Sequence, residues 1–172
     1  TKPIGTGVIS TGIKREKASA EVIEESIATM LTPGKYAAEA IAKFHVKGAT
    51  DVTGFALLGH AWELACASNV TIEIDSSRVP LIGGALELVA AGMLTGADKT
   101  NREYVGEDVS FAGGLDPNLV KLFYDPQTAG GLLLAIAEDK AEDLLRELRR
   151  NYPRAEVIGR ATKRGENRIT IQ

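Results

Sequence analysis

Cysteine is almost missing from this 172-residue chain: Cys66 stands alone, so no internal disulfide is possible, and with only two histidines, His45 and His60, a zinc-ligand cluster is excluded as well. The expectation is a protein of a reducing cytoplasm. Long apolar runs are also absent. The longest, such as Gly131 to Ala137, fall far short of the roughly 20 residues a membrane helix needs, and Thr1-Lys2-Pro3 does not start a basic-then-apolar export signal. Nor is there an excess of positive charge: 20 Lys plus Arg face 23 Asp plus Glu, a formal charge of -3, with no basic stretch to neutralise a polymer of phosphates. Neither nucleic acid nor membrane is therefore expected as a partner.

The usual nucleotide and nucleophile motifs are missing too. No Gly-x-x-x-x-Gly-Lys-Ser/Thr run occurs, Gly5-Thr6-Gly7 lacks a third glycine at dinucleotide spacing, and no Gly-x-Ser-x-Gly elbow is found. There is no internal repeat and no linker-like segment.

What is present, with 44% hydrophobic residues, is enough for one core and one domain spanning residues 1–172. Because the first residue is Thr rather than Met and is followed at once by strand-like Ile4 to Ile9, a fragment of a longer protein is expected. Ser19 predicts a capped helix with Ile23, Ile27, Met30 and Leu31 on one face, packed on a sheet. Thr32-Pro33 starts a second helix with Tyr36, Ala40, Ile41 and Phe44 on one side. Leu57, Leu58, Ala61, Leu64 and Ala65 mark a third, stopped by Asn69. Val70 to Ile74 alternates as a strand, and a small-residue helix lies within Pro80 to Gly92. Leu94 to Glu107 reads as loop, Val109 to Ala112 as a strand, and Pro117 to Tyr124 as a helix. Gly131 to Ile136 reads as a strand buried on both faces. Glu138 to Arg150 is a helix with Leu144, Leu145 and Leu148 inward and a Glu142–Arg146 pair, and Val157 to Ala161 with Arg168 to Ile171 forms a hairpin-like pair. The mixed order predicts an α+β fold, a mixed β-sheet layered with helices.

Two segments have the residues for chemistry. Asp51 to His60 passes from extended chain through Thr53-Gly54 into a helix, a geometry that suits an anion at the helix end and lets the Asp51 carboxylate take a hard cation such as magnesium. A plain helix cap explains the same residues. Asp125-Pro126-Gln127-Thr128-Ala129-Gly130-Gly131 feeds the apolar strand, where Gly130 and Gly131 permit positive φ and close approach of a ligand, and the Thr128 hydroxyl reaches a phosphate oxygen. A proline turn with a glycine bulge is the alternative. Gly96 to Asn101 reads as a solvated loop unless a ligand orders it. Cys66, His45 and His60 read as structural, and Trp62 lies one position off its helix's apolar stripe, as an interface residue would.

The same stretches are where the chain resembles the selenophosphate synthetase family. That family's Thr-Asp-Val-Thr-Gly-Phe-Gly-Leu-Leu-Gly-His signature is matched from Thr50 to His60 except at Ala56. Its Asp-Pro-Gln-Thr-Ser-Gly-Gly-Leu-Leu run is matched from Asp125 to Leu133 except at Ala129, and Thr1 to Gly7 and Val79 to Glu87 are similar as well. The resemblance implies a C-terminal α+β domain of the aminoimidazole ribonucleotide (AIR) synthase-related kind. Its partner is an N-terminal domain of the same protein that holds most of the ATP site and forms a homodimer barrel. It also implies the reaction of selenide, ATP and water to selenophosphate, orthophosphate and AMP, with Mg2+ as cofactor. Asp51 corresponds to the family's magnesium ligand, and Thr53, Gly54, Asn101, Thr128, Gly130 and Gly131 to its nucleotide-facing positions. No catalytic residue is implied within this chain, because the reactive cysteine or selenocysteine and its lysine belong to the missing half, so Cys66 does not inherit that role. Gly96-Ala97-Asp98 departs from the family's Gly-Gly-Thr. A sibling ATP-dependent enzyme and a stand-alone, non-catalytic binding domain are the alternatives.

Overall fold

The computed structural model describes all of residues 1–172. In chain order the elements are α1 (Thr6–Lys14), α2 (Ala20–Leu31), α3 (Lys35–Phe44), β1 (Gly48–Asp51), α4 (Ala56–Ser68), β2 (Val70–Ile74), a 3-10 turn (Ser76–Arg78), α5 (Ala85–Ala90), α6 (Ala97–Val105), β3 (Val109–Phe111), α7 (Pro117–Phe123), β4 (Leu132–Ala135), α8 (Glu138–Arg149), β5 (Gly159–Lys163) and β6 (Ile169–Ile171). The strands form two sheets. β1 pairs antiparallel with β4, and a four-stranded mixed sheet runs β3-β6-β2-β5. This is the expected α+β class. No helix is long and apolar enough to cross a membrane.

The larger core lies where Leu57, Leu58, Ala61 and Ala65 of α4 meet Ile72 and Ile74 of β2, Ile169 and Ile171 of β6, and the buried sides of α1, α5 and α7. A smaller core packs Ala37 and Ala40 of α3 on Leu144, Leu145 and Leu148 of α8, closed by Tyr152, whose hydroxyl accepts from Ala37 N–H and donates to the Pro33 carbonyl.

Several sequence expectations are corrected. Ile4 to Ile9 is not a strand: Ile4 makes one bridge to Leu81, and the chain then enters α1, because its first amides find partners far away in sequence. α2 keeps its Ser19 cap but packs on α1 rather than a sheet, leaving Ile27 and Leu31 exposed. Tyr36 is likewise exposed, and Ala37 takes the inward place. Residues 97–105 form a helix, not a loop. Its buried side is only Asn101 and Val105, so apolar periodicity gave no signal, while the i,i+4 pairs Asp98–Arg102 and Lys99–Glu103 support it. β4 is half-buried rather than covered on both faces. β5 and β6 are not a hairpin, since β2 lies between them. Arg146 pairs with Asp143 rather than Glu142.

Candidate functional site

The antiparallel register of β1 and β4 sets Asp51 opposite Leu132, and Val52 N–H donates to the Gly131 carbonyl at 2.8 Å. One step further, Gln127 N–H donates to the Thr53 carbonyl at 2.9 Å. The two candidate segments, remote in sequence, thus lie side by side, with Asp51, Gly54 and Thr128 exposed.

No side chain caps α4, so the cap reading of Asp51 does not hold. Its Oδ2 has only the Thr53 hydroxyl nearby, at 3.5 Å. That hydroxyl is committed elsewhere. Phe55 N–H donates to His60 Nε2 at 3.3 Å, which makes Nε2 the acceptor and leaves the ring proton on Nδ1, given to Glu63 Oε2 at 3.1 Å. Thr53 Oγ1, 3.1 Å from Nε2, then donates to the ring. Tyr104 completes the chain, donating to Glu63 Oε1 and stacking on Phe55. His60 is thus a buried, hydrogen-bonded brace, and Asp51 keeps both oxygens available. Trp62 is occupied within the chain, donating to Asp108. Cys66 is half-buried on α4, and His45 ends α3 in the left-handed conformation. Ala56, at a glycine position of the signature quoted above, has φ 64°, a left-handed backbone that glycine adopts without strain.

Asn101 is buried, and its amide donates to the carbonyls of Gly54 at 3.0 Å and Tyr124 at 3.1 Å. It ties α6 to the Asp51–His60 segment and to the end of α7, directly before Asp125. Gly130 and Gly131 are glycines for a different reason from the one expected. Neither has a positive φ; that conformation falls on Ala129, at 48°. A Cβ on Gly130 would lie 1.8 Å from the Val52 carbonyl oxygen, and one on Gly131 would lie 2.6 Å from Lys2 N, so their bareness admits the chain's own backbone.

Sequence reasoning missed Asp125 and Gln127 as a unit. Gln127 Oε1 accepts from the Gly5 and Thr6 amides at 2.9 and 3.1 Å, while Asp125 Oδ2 accepts from Gly7 N–H at 3.0 Å and from Gln127 Nε2 at 3.0 Å. Together they satisfy the first turn of α1, which has no cap of its own. Asp125 Oδ1 is buried without a partner, and burial pushes this carboxyl up to about 7 against the opposing effect of the α1 amides. The available signal was Gly5-Thr6-Gly7, too rich in small residues for a strand. Lys2 was also missed: its Nζ donates to the Ala129 carbonyl at 2.8 Å, placing a cation beside the exposed loop.

No group of three or more His, Cys, Asp or Glu side chains converges on a metal position. Asp51 and Thr53 offer hard oxygen donors, the kind Mg2+ takes, in too small a number to form a cage alone.

The family model for AIR synthase related protein, C-terminal domain, matches residues 1–172. Among similar proteins, a selenide, water dikinase of Clostridioides difficile (strain 630) is 41% identical over 99% of this chain and 49% of its own length. One of Caldanaerobacter subterraneus subsp. tengcongensis is 40% identical over 100% of this chain and 50% of its own. The chain thus spans about half the length of these relatives. Among solved structures, thiamine-monophosphate kinase from Stenotrophomonas maltophilia K279a superposes with TM-score 0.60 at 20% identity, covering 99% of this chain and 48% of that one. E. coli HypE, a hydrogenase maturation protein, gives 0.59 at 16%, covering 98% and 43%. These two likenesses concern the fold alone. With its whole length matched by the family model, the chain belongs to the AIR synthase related protein family, as a C-terminal domain.

Proposed function

We propose that this chain is the C-terminal half of an ATP-dependent selenophosphate synthetase, converting selenide, ATP and water to selenophosphate, orthophosphate and AMP. The observation that carries the reading is the juxtaposition of Asp51–Gly54 with Gln127–Gly131 through the β1–β4 register. Identity of about 40% to proteins named selenide, water dikinase favours this activity over that of the 16–20% identical structural neighbours, since fold alone does not choose a reaction.

In this reading Asp51 is the residue of this chain that would hold Mg2+, whose positive charge would offset the negative charge of the ATP phosphates. Thr53, Gly54 and the start of α4 face the phosphates, Thr128 offers a hydroxyl beside them, and Lys2 adds positive charge. Asn101, Gly130 and Gly131 act one step back, fixing the distance between the two loops. His60 holds the Thr53 hydroxyl away from Asp51, so the carboxylate is left for the cation. The rest of the ATP site, the selenide-handling residues and the homodimer contacts belong to an N-terminal domain of the same protein.

The test is selenide-dependent release of AMP and orthophosphate from ATP by the longer polypeptide, with none from these 172 residues alone. ATP turnover indifferent to selenide, or AMP formation by the isolated chain, would overturn the reading.

A further inference from the structure

β4 has β1 on one edge only, and β5 has β2 on one edge only. Val52 N–H donates to Gly131 O, so alternation along β4 turns the backbone groups of Leu133 and Ala135 toward β1 and those of Leu132, Leu134 and Ile136 away. Asp75 N–H donates to Ile158 O, which by the same rule turns Arg160 and Thr162 toward β2 and Gly159 and Ala161 away. Both outward edges border one cavity of about 270 Å³, walled also by Leu144 and Leu148 of α8 and Leu57 and Leu64 of α4.

One outward residue is already paired. Thr1 N donates to Leu132 O at 2.9 Å, and Leu132 N–H donates to Thr1 Oγ1 at 2.8 Å, while Lys2 N lies against Gly131. Residues 1–2 therefore run antiparallel to β4, and the chain direction upstream of Thr1 points past Leu134 and Ile136, along the cavity.

We propose that this cavity seats an extended apolar strand continuous with Thr1, supplied by the N-terminal part of the longer protein, which pairs with β4 on one side and β5 on the other and joins the two sheets into one. The proposal rests on the reading of the chain as the C-terminal half of a longer polypeptide, in keeping with relatives twice its length. The strand is covered on both faces, so it is an uninterrupted apolar run of about five residues. Unpaired edges beside a mostly apolar space are otherwise costly to leave open.

The test compares two versions of the 172-residue chain, extended immediately before Thr1 by five alternating Val and Ile residues or by five alternating Gly and Ser residues. The expected result is amide exchange at Leu134 and Ala161 slower by about 100-fold in the apolar version, with a melting temperature higher by about 5 °C. Equal exchange in both versions overturns the proposal, and protection of Leu134 without Ala161 overturns the joining of the sheets. If the apolar version self-associates, the comparison is made between the natural longer polypeptide and the 172-residue chain, where equally fast exchange at both amides overturns it. None of these measurements involves selenide or ATP, so a failed strand and a failed activity assignment give different results.

Discussion

Gln127 is bound to Thr53 by its backbone and to the first turn of α1 by its side chain, so one residue holds three segments in a fixed relation. Replacing it by Ala leaves the buried amides of Gly5 and Thr6 without an acceptor. The expected cost is about 2–4 kcal/mol, measured by chemical denaturation. A loss below about 0.5 kcal/mol would show that water or Asp125 substitutes for it.

Asp51→Asn keeps the side chain's shape and removes its charge. Because no side chain caps α4, folding is expected to be indifferent, with little change in thermal melting. Selenide-dependent AMP release by the longer polypeptide is expected to fall by at least about 100-fold, partly recovered at high Mg2+. Near-normal turnover at low Mg2+ would remove Asp51 from the metal site.

The Asp125 carboxyl, raised by burial to about 7 from 3.8, makes the fold pH-dependent. A raised carboxyl binds its proton more tightly when folded than when unfolded. Stability is therefore fully present below about pH 4 as far as this group is concerned and declines as pH rises toward 7, by at most about 4 kcal/mol. Asp125→Asn cannot ionise, so it is expected to gain stability relative to the parent at pH 8 but not at pH 4, read as the difference in denaturation midpoints. A constant difference across that range would show that Asp125 titrates normally.

Gly130→Ala and Gly54→Ala separate packing from binding. The first sets a methyl on the Val52 carbonyl and is expected to splay β1 from β4, with loss of more than about 3 kcal/mol of stability. The second meets nothing within 4 Å and is expected to fold as the parent does. A drop in activity of the longer polypeptide with Gly54→Ala, at unchanged stability, would place Gly54 against the ligand, and full activity would not.

Most helices were legible in the residues because they carry local signals that need no partner. Ser19 caps α2, Asn69 ends α4 in the left-handed conformation, and Leu144, Leu145 and Leu148 recur at helical spacing on α8. The two signature segments were legible as well, because short-range chemistry and the family resemblance both lie in contiguous residues. What the tertiary structure alone decided depends on partners distant in the chain. α1 is a helix rather than a strand because Asp125 and Gln127 satisfy its amides; α6, though supported by local ion pairs, is placed by Asn101, which is bound to the Gly54 and Tyr124 carbonyls; and β2 lies between β5 and β6, an order that no local signal carries. The reason for Gly130 was invisible for the same cause. A glycine's tolerance of close approach is written in the sequence, but which backbone approaches it is set only when β1 and β4 come into register.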